Sequence, residues 1–222
     1  MRHTERQALN YDQPRSMRFE EVRAARRAML DLPHIRPLAE FAADIRLRHG
    51  VEVPEFDPLD GGIGASMLFL FEKPGPMTSD VKTGRTGSGF ISRDNDDPTA
   101  EATHQFMKAA GIPRAETITW NVVPGWNGTR KITADELREG VAEVERLVTL
   151  LPRLRVVVLV GKKAGRAAPL LRSSGLLLFE SAHPSPLVRA SRPDAWASIP
   201  RIWAKAAESL LIKAAENSAS FG

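Results

Sequence analysis

Four short apolar runs, at residues 66–71, 117–123, 155–160 and 176–181, are each bounded by turn residues, and together they constrain the fold of this chain more than any other feature. Nearly continuous hydrophobicity over so few residues suits strands buried on both faces. Helical patterns separate the runs. Asp97 and Pro98 predict an N-cap and first helical position for a helix through Ala110, which Gly111 ends. Thr133 with Glu136 is a capping-box pair opening an amphipathic helix to about Leu151. Residues 161–172 and 193–213 read as two more helices, with a frayed tail after Ala215. Ahead of the first run, residues 19–30 and 35–48 are helical in pattern, and a Pro-, Asp- and Gly-rich loop fills 54–64. Strands alternating with helices predict an α/β fold, a three-layer α/β/α sandwich on a central four-stranded parallel sheet with an N-terminal helical segment. The 222 residues fit a single domain over 1–222, with residues 1–50 as a helical extension packed on it.

Composition narrows the chemistry. The chain has no cysteine, which removes disulfides, thiolate nucleophiles, iron–sulfur clusters and most structural zinc sites. His3, His34, His49, His104 and His183 lie far apart with no ligand spacing, so neither a metal nor another cofactor is expected. No stretch approaches the roughly 20 apolar residues needed to span a bilayer. The first ten residues are polar and charged, unlike a signal peptide, so the expectation is a cytoplasmic monomer without a membrane partner. The net charge of +4 is unevenly spread. From Arg153 onward eleven lysines and arginines stand against four acids, so the rest of the chain is slightly acidic. A basic final third is the footprint of a polyanion-binding face, or simply a solvated surface.

In parallel α/β sheets ligands collect at the carboxyl ends of the strands. Here those ends read Glu72-Lys73-Pro74-Gly75-Pro76, then Asn121 with Pro124-Gly125-Trp126-Asn127, then Gly161-Lys162-Lys163, and last His183-Pro184-Ser185-Pro186-Leu187. A carboxylate, an amide, lysines and a histidine therefore share one predicted rim. Turn chemistry alone accounts for the glycines and prolines.

From about Met67 to Leu187 these segments, in this order, resemble the uracil-DNA glycosylase superfamily. Residues 71–76 are similar to its water-activating loop, 87–90 to the segment supplying an aromatic that stacks on the base, and 119–123 to the strand whose Asn reads uracil. Residues 158–161 are similar to its third strand and glycine. Residues 181–187 resemble its histidine-bearing, DNA-intercalating loop, the most specific of the five motifs. The resemblance implies a DNA-repair enzyme that flips uracil from single- or double-stranded DNA, hydrolyses the N-glycosidic bond and releases free uracil, leaving an abasic site. It implies Glu72 and His183 as catalytic residues, and Phe90, Asn121 and Lys73 at the base. Pro74, Gly161, Lys162, Ser185, Leu187 and Arg189 are implied at the DNA.

Each assignment has a chemical reason. An amide offers an acceptor and donors, so Asn121 can pair with the N3–H and O4 edge of uracil, whereas cytosine presents the opposite pattern. An aromatic face can recover about 1–3 kcal/mol by stacking. Negative charge grows on the departing base, where a donor such as His183 is worth about 2.7–4 kcal/mol. Leu187 can wedge into the gap left by the flipped nucleotide. Phosphates can be held by Ser185, Gly161 and Lys162. Lys73 stands where the family's best-studied members carry the Asp that orients water, and Glu72 is the expected replacement. A desolvated lysine could also attack the sugar as a lyase. Three further readings stay open: a mismatch-directed thymine or uracil glycosylase, one acting on another deaminated base, or a non-catalytic binder of uracil or abasic DNA. A phosphate-transferring nucleotide domain lacks its Gly-x4-Gly-Lys-Ser/Thr loop.

Overall fold

Thirteen regular elements follow one another in the computed structural model, which describes residues 12–79 and 87–219. The polar first ten residues, His3 among them, lie outside the described part. The elements are α1 (Glu20–Arg27), α2 (Arg36–His49), β1 (Glu55–Phe56), β2 (Met67–Phe71), β3 (Phe90–Ile91), α3 (Pro98–Ala109), β4 (Thr117–Asn121), α4 (Ala134–Thr149), β5 (Val156–Val160), α5 (Ala168–Ser173), β6 (Leu177–Ser181), α6 (Pro186–Ser191) and α7 (Pro193–Ala219).

The four apolar runs become β2, β4, β5 and β6, all parallel, in the spatial order β4-β2-β5-β6. Successive side chains on a strand leave opposite faces, which divides these runs into two cores. Leu68, Leu70, Ile118, Trp120, Val157 and Leu159 pack with Leu38, Phe41 and Ile45 of α2, Val144 and Leu147 of α4 and Leu171 of α5. Met67, Phe69, Phe71, Val156, Val158 and Val160 pack with Met107 of α3 and with Ile199, Trp203 and Ala206 of α7. That arrangement is the expected α/β/α sandwich, and it explains why the two central strands, β2 and β5, are apolar at every position. Only the edge strand β6 is half-exposed.

Local signals hold at the helix starts. Asp97 accepts hydrogen bonds from the N–H groups of Thr99 and Ala100 at 2.8 and 3.0 Å. Thr133 and Glu136 close a full capping box at the start of α4. Other boundaries move. The run 117–123 stops being a strand at Asn121, because the chain curls over the end of β2: Val122 and Val123 donate to the carbonyls of Phe71 and Glu72 at 2.8 and 2.9 Å. Residues 161–172 do not form one helix but a 3-10 turn, Ala164–Ala167, that runs into the short α5. Two elements have no counterpart in the sequence reading: the two-residue ladder β1–β3, and α6. No described helix is long and apolar enough to cross a membrane.

The strand order makes β2 the switch point, since its two neighbours are β4 and β5. A crevice at such a point opens beyond the strands' carboxyl ends. The segments after β2, β4, β5 and β6 therefore converge there.

Candidate functional site

Glu72 follows β2 directly and is held from both ends. Its carbonyl accepts from Val123 N–H, and its Oε1 accepts from the backbone N–H of Lys163 at 2.8 Å. The carboxylate thus leans across the end of β5, where Gly161 turns with φ +94°. A Cβ at Gly161 would lie 2.7 Å from Glu72 Oε1, closer than van der Waals contact permits. Glycine at 161 serves two needs, the left-handed turn and room for this carboxylate. Its N–H donates to the Ser181 carbonyl at 3.0 Å, linking the ends of β5 and β6.

His183 enters from the other side, two residues beyond β6. Its ring meets that of Phe71 edge to face, with centroids 5.7 Å apart and planes at 87°. Burial pushes its pKa below the usual histidine value, and the nearby negative charge of Glu72 opposes that shift. The imidazole is therefore neutral near pH 7, a donor rather than a cation. Asn121 is buried, 5% exposed, and in register with Phe71 on the neighbouring strand. Residues in register on adjacent strands project from the same face of the sheet. Amide, phenyl ring and imidazole thus lie side by side along one rim, with the Glu72 carboxylate one residue further along β2.

The loop after His183 is built as a cap and a projection. Ser185 accepts from Val188 N–H at 3.4 Å as the N-cap of α6, and Pro186 takes the first helical position. Leu187 then stands 75% exposed, an isolated large apolar side chain on the rim. Lys162 and Arg189 are exposed, and the Arg189 guanidinium lies 5.9 Å from the ring centre of Trp196. Pro74 is buried beneath the loop after β2, where it cannot reach a phosphate through its own side chain.

Two expected residues lie elsewhere. Lys73 does not face a base. Its ammonium donates to Asn127 Oδ1, the Lys131 carbonyl and Glu136 Oε1 at 2.9, 3.0 and 2.6 Å, which uses all three donors in the β4–α4 loop and the capping box. Phe90 is 1% exposed, enclosed with Met17 and Val22 in a cluster separate from both main cores. Its ring offers no open face for stacking in this structure. A cavity of about 250 Å³ does open beside its segment, lined by Met17, Arg18, Arg23, Met77, Gly87, Ser88 and Asp96.

Sequence reasoning missed the ionic cluster beneath this segment. Arg26, 1% exposed, donates to Asp57 and to Asp94 Oδ2. Arg114 joins Asp57, Asp60, Asp94 and Asp12, and His104 Nδ1 lies 3.0 Å from Asp94 Oδ1. Asp94 is taken up entirely by these partners. Asp12, Asp94 and His104 bring ligand atoms within 4.8 Å of one another, but the Asp94 oxygens are already committed to guanidinium and imidazole donors.

The model of the family described as the uracil DNA glycosylase superfamily matches residues 62–207, which span β2 to α7 and every residue of the rim. Among solved structures, the chain is similar to the solution structure of a candidate uracil DNA glycosylase from Methanosarcina acetivorans. That similarity is 17% in sequence identity with a TM-score of 0.43, covering 64% of this chain and 93% of the other. No curated protein matches the chain.

Proposed function

Because the chain belongs to the uracil DNA glycosylase superfamily, we propose that it hydrolyses the N-glycosidic bond of uracil in DNA and leaves an abasic site. One observation supports the reading: Phe71 at the end of β2 lies in register with Asn121 and against the ring of His183, and the Glu72 carboxylate next to it acts on the imidazole's charge.

In this reading Leu187 fills the space vacated by the flipped nucleotide, while Ser185, Lys162, Arg189 and the backbone at Gly161 hold flanking phosphates. Asn121 pairs with the N3–H and O4 edge of uracil. As the C1′–N1 bond breaks, its electron pair leaves with the base, and His183 donates a hydrogen bond to the base oxygen where that charge gathers. Glu72 Oε1 is occupied by Lys163 N–H, which leaves Oε2 to hold the water. The water oxygen forms the new bond to C1′, its proton passes to the carboxylate and from there through solvent to N1 of the departing base, and free uracil leaves. Lys73 plays no part at the sugar, since its ammonium is committed to three acceptors. The products are those of a glycosylase without lyase chemistry.

The test is incubation with an oligonucleotide holding a single uracil, followed by alkali. Strand breaks with the wild-type protein, lost in His183→Ala, support hydrolysis. Tight binding to the uracil strand with no breaks would overturn it in favour of a non-catalytic binder. Oligonucleotides with thymine or uracil opposite guanine, and with other deaminated bases, define the base preference in the same assay.

A further inference from the structure

We propose that Phe71 is a positioning residue for His183: its ring fixes the plane and depth of the imidazole beside Asn121. The proposal rests on the function argued above for its kinetic consequences, though not for its structural content.

A catalytic histidine is commonly oriented by a hydrogen bond at its second ring nitrogen, which also sets the tautomer. His183 is different. Among the described residues its ring receives no side-chain or backbone hydrogen bond, and the influences on its charge are burial and the Glu72 carboxylate. What touches the ring is Phe71, edge to face at 5.7 Å and 87°. Such perpendicular pairs have a preferred geometry, because the electron-poor edge of one ring seeks the electron-rich face of the other.

Phe71 is itself firmly placed. It is the last residue of β2, 8% exposed, hydrogen-bonded through its carbonyl to Val122 and in register with Asn121. Below it, Phe69 meets Trp203 of α7, and the Trp203 indole N–H donates to Ser181 Oγ at 3.0 Å at the end of the strand that leads to His183. The imidazole is thus located by packing against the central strand at one side and by a strand end pinned to α7 at the other. This division of labour frees both ring nitrogens for substrate, and it sets His183 against the side chain whose residue is in register with Asn121.

The charged group near the ring is Glu72, directly after β2. It is not altered by substitution at Phe71. The experiment compares wild type, Phe71→Leu and Phe71→Tyr by nuclear magnetic resonance of the His183 ring protons and by turnover on a uracil oligonucleotide. Phe71→Leu is expected to shift the His183 ring-proton signals, abolish their cross-peaks to the residue-71 ring, and lower kcat at least tenfold with KM changed less than threefold. Phe71→Tyr, which keeps the ring, should restore both the signals and most of kcat. Unchanged His183 signals in Phe71→Leu would overturn the proposal whatever the activity. Should the leucine variant not fold, the wild-type cross-peaks between the two rings decide, and their absence overturns it. If wild type releases no uracil, the proposed function fails while the resonance arm still decides the positioning role.

Discussion

The Glu72 carboxylate and the Gly161 backbone occupy neighbouring space so closely that no side chain fits between them: a Cβ on Gly161 would lie 2.7 Å from Glu72 Oε1. Gly161 also holds φ +94°, which an L side chain adopts only with strain. Gly161→Ala must therefore move the carboxylate or the turn that bonds it. We expect uracil release to fall about ten- to a hundredfold, or about 1.4–2.7 kcal/mol of barrier at about 1.36 kcal/mol per tenfold. Stability should drop by about 1 kcal/mol or more, as for alanine at positive φ. Single-turnover cleavage measured beside urea unfolding separates the two effects, and an unchanged rate would remove Glu72 from the chemistry.

His183 should govern the acid limb of the rate. Burial holds its pKa below the ordinary 6.5 against the opposing influence of Glu72, so the neutral donor persists as pH falls past 6.5. The single-turnover rate should stay level from pH 8 through 6.5 and decline only below that. His183→Ala should cost about 10²–10³-fold, the usual loss for one donor at a developing charge. The sign for stability is the same: the unfolded chain binds the proton more readily, so this group's contribution is present above 6.5 and is lost on acidification. A rate that already halves at pH 7 would mean that the imidazole is not shielded in this way.

Leu187 invites a test that separates binding from folding. It is 75% exposed at the start of α6 and supports no core. Leu187→Ala should leave the melting temperature within 1–2 °C, as for ordinary surface substitutions. If it fills the gap in a stack, the variant should lose more activity on duplex than on single strands, by about three- to tenfold. Equal losses on both substrates would rule out the wedge.

Much of this arrangement was legible in the chain because burial on both faces imposes a one-dimensional signature. Val156–Val160 can hardly be anything but a central strand, and parallel strands fix which ends meet. The rim around Glu72, Asn121 and His183 follows from that. What stayed hidden depends on partners distant in sequence. The segment Glu20–Arg27 holds four arginine or glutamate side chains besides Arg26, and nothing local singles out Arg26 as the buried one; its partners are 31 and 68 residues away. Lys73 has the same character, since its acceptors lie 54 to 63 residues on. Phe90 sits in a two-residue strand, too short to show a period, and its enclosure comes from Met17 and Val22.

The Arg26 cluster yields a prediction about stability. Arg26 donates to Asp57 and Asp94, each with fully buried side chains. Removing one partner of a buried pair typically costs about 3–5 kcal/mol, because the remaining charge is left unmatched. Arg26→Met should therefore destabilise the protein by about that much, even though α1 lies outside the central sheet. Arg114 still reaches both carboxylates, which favours the lower end of the range. Urea unfolding decides it, and a loss below 1 kcal/mol would mean that Arg114 alone satisfies the pair.

The same cluster sets opposite pH dependences on two aspartates. Burial raises the Asp94 carboxyl, but the hydrogen bond with His104 and the charges of Arg114 and Arg26 more than offset it, and the pKa falls to about 2. Its contribution to stability is present above the ordinary 3.8 and is lost as pH falls toward 2. Asp60 goes the other way. Burial pushes it up to about 7 despite Arg114, so the folded protein binds a proton there that the unfolded chain has released. Its contribution is full below 3.8 and disappears as pH rises through about 7. Wild-type stability should therefore decline from this group as pH rises from 3.8 to about 7, and Asp60→Asn, which cannot titrate, should flatten that decline. Unfolding free energies at several pH values across the window test it. A slope identical in wild type and variant would mean that Arg114, 2.9 Å from Asp60 Oδ1, keeps the carboxylate ionised throughout.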